Sequence, residues 1–409
     1  MSSPTAAHSD ASRPLPKGPV FGWSNLRIED APGIPSVEDL RNIAFTTSGR
    51  AAIYQALLQA QIAPDSIVLV PTYHCPTMIA PVLLADCKPA YFGIREDGLP
   101  DLLNVDSMIG VQARAMIVSH YFGLAQSLRE VREWCDERGI VLIEDCAHCY
   151  FGQAGERPIG AWGDYCTASL SKFLPVPEAG LLGSASRSLR PLTLSHQGTK
   201  AQIKGCADVV EIAVRHRRLP GLNSVLSYFF KLKQKRGMSD GCGEQQTSET
   251  ESAAMMMLSS DMGRISRQPL AAAMLLRRAL PRGRIVARRQ RNFSLYARLL
   301  VGLRGAKALV SLPDKPIAPY VFPLWVEDAD RVYQALKAEG FPVFRWDRIW
   351  PGTPTLPQDA GLRWSRHVLQ LLCHQDLAEG DIRRCTARLH LLLELAKPCI
   401  TSHKNNEKD

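Results

Sequence analysis

The chain reads as an α/β protein in which a mostly parallel mixed sheet, flanked by helices, forms a large domain and a smaller α+β domain follows. Three observations carry this. Short apolar runs recur at residues 67–70, 115–118 and 140–143, each of strand length and mostly rich in branched side chains. Between the last two lies a helix with clear ends. Ser127 is its cap with Glu130 three positions on, Leu128, Val131, Trp134 and Cys135 form its stripe, and Gly139 is its stop. Strand, helix and strand in that order make a βαβ unit, so at least part of the sheet is parallel. After about residue 270 the pattern changes to a long Arg-rich helix and then strand, helix, strand, helix.

The elements follow in order. The first twenty residues are polar, with Pro14, Pro16 and Pro19, and predict a loose tail rather than a signal peptide or membrane anchor. Ser48-Gly49-Arg50-Ala51-Ala52-Ile53 follows an extended stretch and opens a helix with Ile53 and Leu57 on one face. The strand at 67–70 delivers Pro71-Thr72-Tyr73-His74, and the strand at 140–143 delivers Glu144 and Asp145. Residues 195–265 diverge into basic helical stretches and a polar segment, 239–252, that reads as a mobile loop or insertion. A helix from Leu270 to about Leu300 is broken near Pro281 and Gly283. Strand 321–326, helix 328–339, strand 342–346 and helix 377–395 complete the chain. The divisions expected are a flexible segment at 1–35, a large domain at 36–285, a small domain at 286–400 and a disordered tail at 401–409.

Composition narrows the class. With 409 residues, 45% hydrophobic and 22% charged, the chain has the make-up of an ordinary globular protein. No run reaches the roughly 20 apolar residues of a membrane helix, so no membrane insertion is expected. The eleven cysteines are odd in number and scattered, several among apolar neighbours (Cys135, Cys166, Cys373), which suits reduced thiols and a cytoplasmic location. One CxxC spacing, Cys146-Ala147-His148-Cys149, lacks the second pair a zinc site wants and reads as chance, so no metal is expected. The net charge of +9 gathers at Arg215, Arg217 and Arg218 and again from Arg277 to Arg291. A solvated helix face, an anionic substrate or lipid-linked partner, and nucleic acid are the three readings. No helix-turn-helix, RNA-recognition or finger motif supports the last.

The chemistry concentrates around Lys172, in Ser169-Leu170-Ser171-Lys172-Phe173-Leu174-Pro175. A strand that ends on Asp145, followed by a turn that presents Ser169 and Lys172, suits pyridoxal 5′-phosphate (PLP). The amine joins the aldehyde, the carboxylate pairs with the pyridinium nitrogen and the hydroxyl holds phosphate. Gly49 lets backbone approach a phosphate, and the free amides at the helix start attract the anion. Strand alternation sends Glu144 and Asp145 to opposite sides, so only one can face the ring. His148 is a candidate for the cofactor hydroxyl, and Tyr73 and His74 for the ring face.

Together these segments resemble the DegT/DnrJ/EryC1/StrS family of sugar aminotransferases, of PLP-dependent transferase fold type I. The matching segments are 47–52, 68–71, Ser119-His120-Tyr121-Phe122-Gly123, Glu144-Asp145-Cys146-Ala147-His148, Gly163-Asp164, 169–180, and more faintly 264–389. The resemblance implies Lys172 as the Schiff-base lysine and Asp145 as the pyridinium partner. It puts His148 near the cofactor hydroxyl, and Ser48, Gly49, Arg50 and Ser169 around the phosphate. It also implies a homodimer with the site at the subunit interface, glutamate as amino donor and a nucleotide-linked keto sugar as acceptor. Polysaccharide or secondary-metabolite biosynthesis is the implied setting. A lyase or dehydratase, or a non-catalytic partner in polysaccharide assembly, are the alternatives; the family's dehydratases carry His where Lys172 stands. The chain departs from the pattern in four places. Ala179 stands for a Gly, the aromatic expected near Cys75 to stack on the ring is absent, with Tyr73 or His74 as its substitute, and the interval from Gly163 to Lys172 is short. The partner-donated Gly-x-Asn-x-Arg motif is at best Ser260-Asp261-Met262-Gly263-Arg264, without its Asn.

Overall fold

A computed structural model of the protein describes residues 15–26, 33–108, 112–236, 252–312, 315 and 317–394. In chain order its first strands are β1 (Asn42–Thr46), β2 (Ile67–Pro71), β3 (Lys88–Phe92), β4 (Ala113–Ser119) and β5 (Val141–Asp145). A separate small hairpin, β6 (Gln153–Ala154) and β7 (Arg157–Pro158), precedes β8 (Tyr165–Ser169) and β9 (Gly180–Ser184). The main sheet runs β1-β9-β8-β5-β4-β2-β3. From β3 to β8 every pairing is parallel, whereas β9 runs antiparallel to both its neighbours.

Alternation explains why these runs are apolar throughout. Val68, Val70, Ala115, Ile117 and Ile143 enter one buried cluster, while Leu69, Met116, Val118 and Leu142 enter another. A sheet covered on both faces has no polar side to show. Helices α1 (Gly49–Gln59), α2 (Pro76–Leu84), α3 (Leu102–Met108) and α4 (Arg129–Arg138) connect the strands, and the first two cover the Val68 face. Helix α4 is the one expected between the second and third runs, and Gly139 ends it in the left-handed region (φ 62°). Its start differs from expectation. Leu128 is the N-cap residue, Ser127 Oγ accepts weakly from Arg129 N–H (3.4 Å) and donates to Glu156, and Glu130 pairs with Arg95. Glu156, from the β6–β7 turn, competes for the hydroxyl that a capping box would use.

The region after β9 is helical: α5 (Thr199–Arg215), α6 (Asn223–Arg236), α7 (Ala253–Ser259), α8 (Ala271–Leu276) and α9 (Arg282–Leu299). The polar segment 239–252 lies outside the described residues except for Ser252, which caps α7 by accepting from Met255 N–H (3.3 Å). Pro281 separates α8 from α9, as its missing N–H predicts. A second, wholly antiparallel sheet follows, in the order β10-β11-β13-β12. Its strands are β10 (Ala306–Ala308), β11 (Val321–Val326), β12 (Val343–Phe344) and β13 (Val368–Leu372), with helices α10 (Ala329–Ala338), α11 (Gly361–His367) and α12 (Glu379–Glu394). The strand read at 342–346 shortens to β12, and the division placed at 285/286 falls inside α9.

Residues 15–26, expected to be loose, are packed. Leu15 and Val20 are buried, Val20 N–H donates to Asp376 (3.0 Å), and the ring of His374 bonds the Pro16 carbonyl (3.0 Å). The arginine run is likewise more than a solvated face. Arg277 pairs with Glu38 (2.5 Å), Arg282 with Asp39 (2.6 Å) and Arg291 with Glu379 (2.8 Å), while Arg289 is fully buried.

Candidate functional site

The carboxyl ends of the parallel strands meet at one cavity of about 210 Å³. Register builds its first pole. Ser119, Asp145 and Thr167 are neighbours across β4, β5 and β8, which puts both hydroxyls against the Asp145 carboxylate. Ser119 donates to it at 3.2 Å, Thr167 at 3.3 Å and the Ala147 amide at 3.0 Å. Asp145 is only 7% exposed. Burial raises its pKa above the ordinary carboxylate value, opposed by Lys172 and these hydrogen bonds.

Glu144 points the other way, as alternation requires. It is completely buried and accepts from the amides of Gly160 (2.8 Å), Trp162 (2.8 Å) and Gly163 (3.0 Å) and from His120 Nε2 (2.9 Å). Burial opposes its ionisation, but His120 and the amides prevail and hold its pKa below the usual value. Cys146 Sγ lies 3.6 Å from the same carboxylate, so His120, Glu144 and Cys146 gather as three possible metal ligands. The carboxylate is already satisfied there as the organiser of the 160–163 loop. Cys149 of the CxxC spacing turns instead to the His120 carbonyl (3.7 Å).

Lys172 stands on the turn between β8 and β9, in a single 3-10 turn (Leu170–Lys172), and lines the cavity with Asp145. Burial lowers its pKa, and Cys75 and Asp145 work against that shift. Its backbone is clamped: Arg289 donates to the Lys172 carbonyl (2.7 Å) and Gln375 to the Phe173 carbonyl (2.8 Å). Its Nζ lies 5.4 Å from the Tyr320 ring centroid.

The second pole is the start of α1. Ser48 caps that helix by accepting from Ala51 N–H (3.3 Å), leaving the Gly49 and Arg50 amides outside the helical ladder. A Cβ on Gly180 would sit 2.1 Å from the Ser48 carbonyl oxygen, so only glycine lets this turn cross β9. A Cβ on Gly49 would come 3.4 Å from that of Ser169. Ser48, Gly49, Arg50, Ser169 and Glu178 line this end of the cavity.

His148 is buried between Tyr320 (4.4 Å between centroids) and Trp346 (4.8 Å), and it and Trp346 both line the cavity. Burial, with Lys172 nearby, holds its pKa well below the ordinary imidazole value, so it is neutral at pH 7. Tyr73 and His74, expected against the ring face, are not among the cavity's walls. Tyr73 is buried against Tyr121, Phe122, Trp346 and Trp364, and its hydroxyl accepts from Gln370 (3.2 Å). His74 is buried with Nδ1 on the Pro71 carbonyl (2.9 Å), and its Nε2 accepts from Trp350 N–H (3.1 Å). Both are absorbed by packing because the chain turns into α2 at Cys75, which faces the cavity in their place.

Sequence reasoning missed Trp346 and Tyr320, which come from the small sheet's loops, and the Arg289 clamp. A lone Trp after a short strand carries no signal of its own; the Arg289-Gln290-Arg291-Asn292 run was visible, but not which arginine turns inward. The segment Ser260-Asp261-Met262-Gly263-Arg264 lies against this chain's own cavity rim, with Thr47 Oγ1 donating to the Arg264 carbonyl (3.0 Å). Met262, at the Asn position, packs in the apolar cluster below α1 and α2.

Residues 39–202 match the sequence profile of the DegT/DnrJ/EryC1/StrS aminotransferase family. Among curated relatives, GDP-perosamine synthase of Vibrio cholerae is 25% identical over 185 residues, which is 44% of this chain and 50% of that protein. The dTDP-4-dehydro-2,3,6-trideoxy-D-glucose 4-aminotransferase of Saccharopolyspora spinosa is 22% identical over 366 residues, 84% of this chain and 83% of that protein. Among solved structures, S. venezuelae DesV in complex with a ketimine intermediate superposes with a TM-score of 0.61 at 19% identity, covering 88% of this chain and 86% of that one. AHBA synthase gives 0.57 at 15% identity, covering 88% of each chain. The α/β fold with its mostly parallel sheet is the one these structures share. The profile match falls over the very strands that build the cavity, so residues 39–202 are similar to the DegT/DnrJ/EryC1/StrS aminotransferase family.

Proposed function

We propose that the protein is a PLP-dependent aminotransferase that moves an amino group from glutamate to a nucleotide-linked keto sugar, in polysaccharide or secondary-metabolite biosynthesis. It would act as a homodimer. One observation carries this reading: a desolvated amine, a buried carboxylate and a hydroxyl-rich helix start line a single cavity. The donor set fits PLP at both ends. Asp145 and Lys172 suit a ring nitrogen and an aldehyde; Ser48, Gly49 and Ser169 suit a phosphate. When bound, PLP supplies an electrophilic carbon and an electron-withdrawing ring.

The remaining work falls to side chains of the chain itself. Burial keeps a fraction of Lys172 Nζ neutral, as attachment to the cofactor and proton movement at the substrate carbon both require. Asp145, whose carboxylate form burial disfavours and Lys172 supports, would pair with the ring nitrogen and its proton. Neutral His148 offers a hydrogen bond without adding charge. Trp346 lines this end, Tyr320 backs it against His148, and Arg289 fixes the backbone from which Lys172 projects.

The purified protein should be yellow, and borohydride should fix the cofactor on Lys172. Glutamate should bleach the absorbance with release of the keto acid, and addition of keto sugars one at a time should restore it. Lys172→Ala should abolish both the trapped adduct and turnover. Full transaminase activity in that variant would end the assignment.

A further inference from the structure

We infer that the protein carries a separate binding site for a phosphoryl group in a second cavity, beside the segment that follows Lys172. That cavity, of about 240 Å³, is lined by Glu38, Tyr150, Leu174, Arg277, Arg278 and Arg282 among others, and shares no wall residue with the one that holds Lys172 and Asp145. Charge decides what it can take. Its walls carry three guanidinium groups and a single carboxylate, that of Glu38. Glu38 is engaged twice, pairing with Arg277 (2.5 Å) through one oxygen and accepting from the Tyr150 hydroxyl through the other. Arg282 is held by Asp39 (2.6 Å), which stands outside the walls. Arg278 has no acid partner among the described residues. The internal pairs therefore leave one full positive charge unspent.

Two further features favour an anion. Arg277 is 11% exposed, its guanidinium lies 4.2 Å over the Phe45 ring, and its buried Nε has no hydrogen-bond partner. The group is fixed in place with a donor to spare. The 18-residue helix α9 also begins here: Pro281, its N-cap residue, makes no side-chain cap, and Leu280 and Arg282 on either side of it line the cavity. The amides of that first turn lack intrahelical partners and carry the positive end of the helix dipole. A carboxylate offers two coplanar oxygens and one charge, whereas a phosphoryl group offers three splayed oxygens and up to two charges. Guanidinium forks on several sides suit the second better. The position is also informative. Leu174 lies two residues beyond Lys172, and the Tyr150 ring stacks on Phe173 between them (5.7 Å between centroids). An occupant would thus rest against the backbone that carries the lysine.

The test is calorimetric titration of the full chain with inorganic pyrophosphate, in metal-free buffer at fixed ionic strength, with and without saturating PLP. Circular dichroism confirms that each variant is folded. Arg278→Ala, which strands no acid, should weaken one component of binding about tenfold or more, and Arg278→Glu should abolish it. That component should be the same whether or not PLP is present. Glu38→Gln, which removes the competing charge but keeps an acceptor for Tyr150, should tighten it. Malonate, a dianion without phosphorus, should bind there about tenfold more weakly. Absence of pyrophosphate binding, equal binding by wild type and Arg278→Ala, or a component that PLP displaces overturns the site. Equal affinity for malonate overturns the phosphoryl assignment. Protein that takes up no PLP yet keeps the Arg278-dependent component ends the cofactor reading and leaves this site standing.

Discussion

At the scale of single residues, Asp145 shows function working against stability. Its folded-state pKa is raised by burial, so folding favours the protonated acid. That contribution is present below the ordinary carboxylate pKa and is lost as pH rises through the raised folded value. At neutral pH the ionised group therefore weighs against the apo fold. Asp145→Asn, which keeps the shape and most hydrogen bonds, should raise the apo melting temperature by about 2 °C or more. The same change should lower turnover by about 10² to 10³, the scale of removing one electrostatic partner of a reacting centre. Calorimetry and a coupled keto-acid assay check the two halves. A fall in melting temperature would mean that the bonds from Ser119, Thr167 and Ala147 outweigh the burial cost. Lys172 has the opposite sign. Its pKa is lowered on folding, so its unfavourable contribution fades as pH rises toward the ordinary lysine value.

At the scale of elements, the site depends on one antiparallel strand. β9 turns back from the lysine loop and wedges between β1 and β8, and Gly180 pairs with both Thr46 and Ser169. That pairing brings the anion pole of α1 beside the strand end that carries Lys172. Gly180→Ala places a methyl 2.1 Å from the Ser48 carbonyl oxygen, so backbone has to move. It should cost about 1–3 kcal/mol in chemical denaturation and weaken PLP more than pyridoxal, since the displaced piece is the phosphate end. A variant that binds both as the wild type does would show that the α1 start does not hold phosphate. By contrast, Ala179 beside it is fully buried and accepts from the Leu170 amide through its backbone, so the departure from glycine there is accommodated.

At the scale of the whole molecule, the two sheets are joined through Arg289. Its guanidinium is completely buried, with Nε on Gln375 (2.8 Å), Nη1 on the Pro319 carbonyl (3.0 Å) and Nη2 on the Lys172 carbonyl (2.7 Å). It also lies 4.5 Å over the Phe173 ring. Burial pulls its pKa down to about 10, which still leaves it charged at pH 7. Arg289→Met should leave the Gln375 Oε1 and the Lys172 carbonyl without this donor and the Pro319 carbonyl with only the Cys373 thiol, and cost about 3 kcal/mol or more. Lysine should not rescue it, because one ammonium cannot reproduce the fork. Urea titration gives the stability, and the absorbance of bound PLP reports whether the lysine loop has lost its position. Unchanged stability would show that Arg289 does not anchor the small sheet.

Local chemistry made much of this legible from the chain itself. Buried parallel strands announce themselves as continuous branched runs, Gly139 and Pro281 punctuate helices, and the Asp145 and Lys172 segments carry types and order that suit one cofactor. What the linear pattern could not supply were facts of assembly. The inward arginine of a basic run, the aromatic wall from Trp346 with Tyr320 behind His148, and the packing away of Tyr73 and His74 depend on which surfaces come together after folding. The same is true of residues 15–26, a Pro- and Gly-punctuated run with no helical or strand period to point to its partner loop at 374–376. Short-range periodicity encodes what a segment becomes; its neighbours, brought from hundreds of residues away, decide which of its side chains reach the cavity.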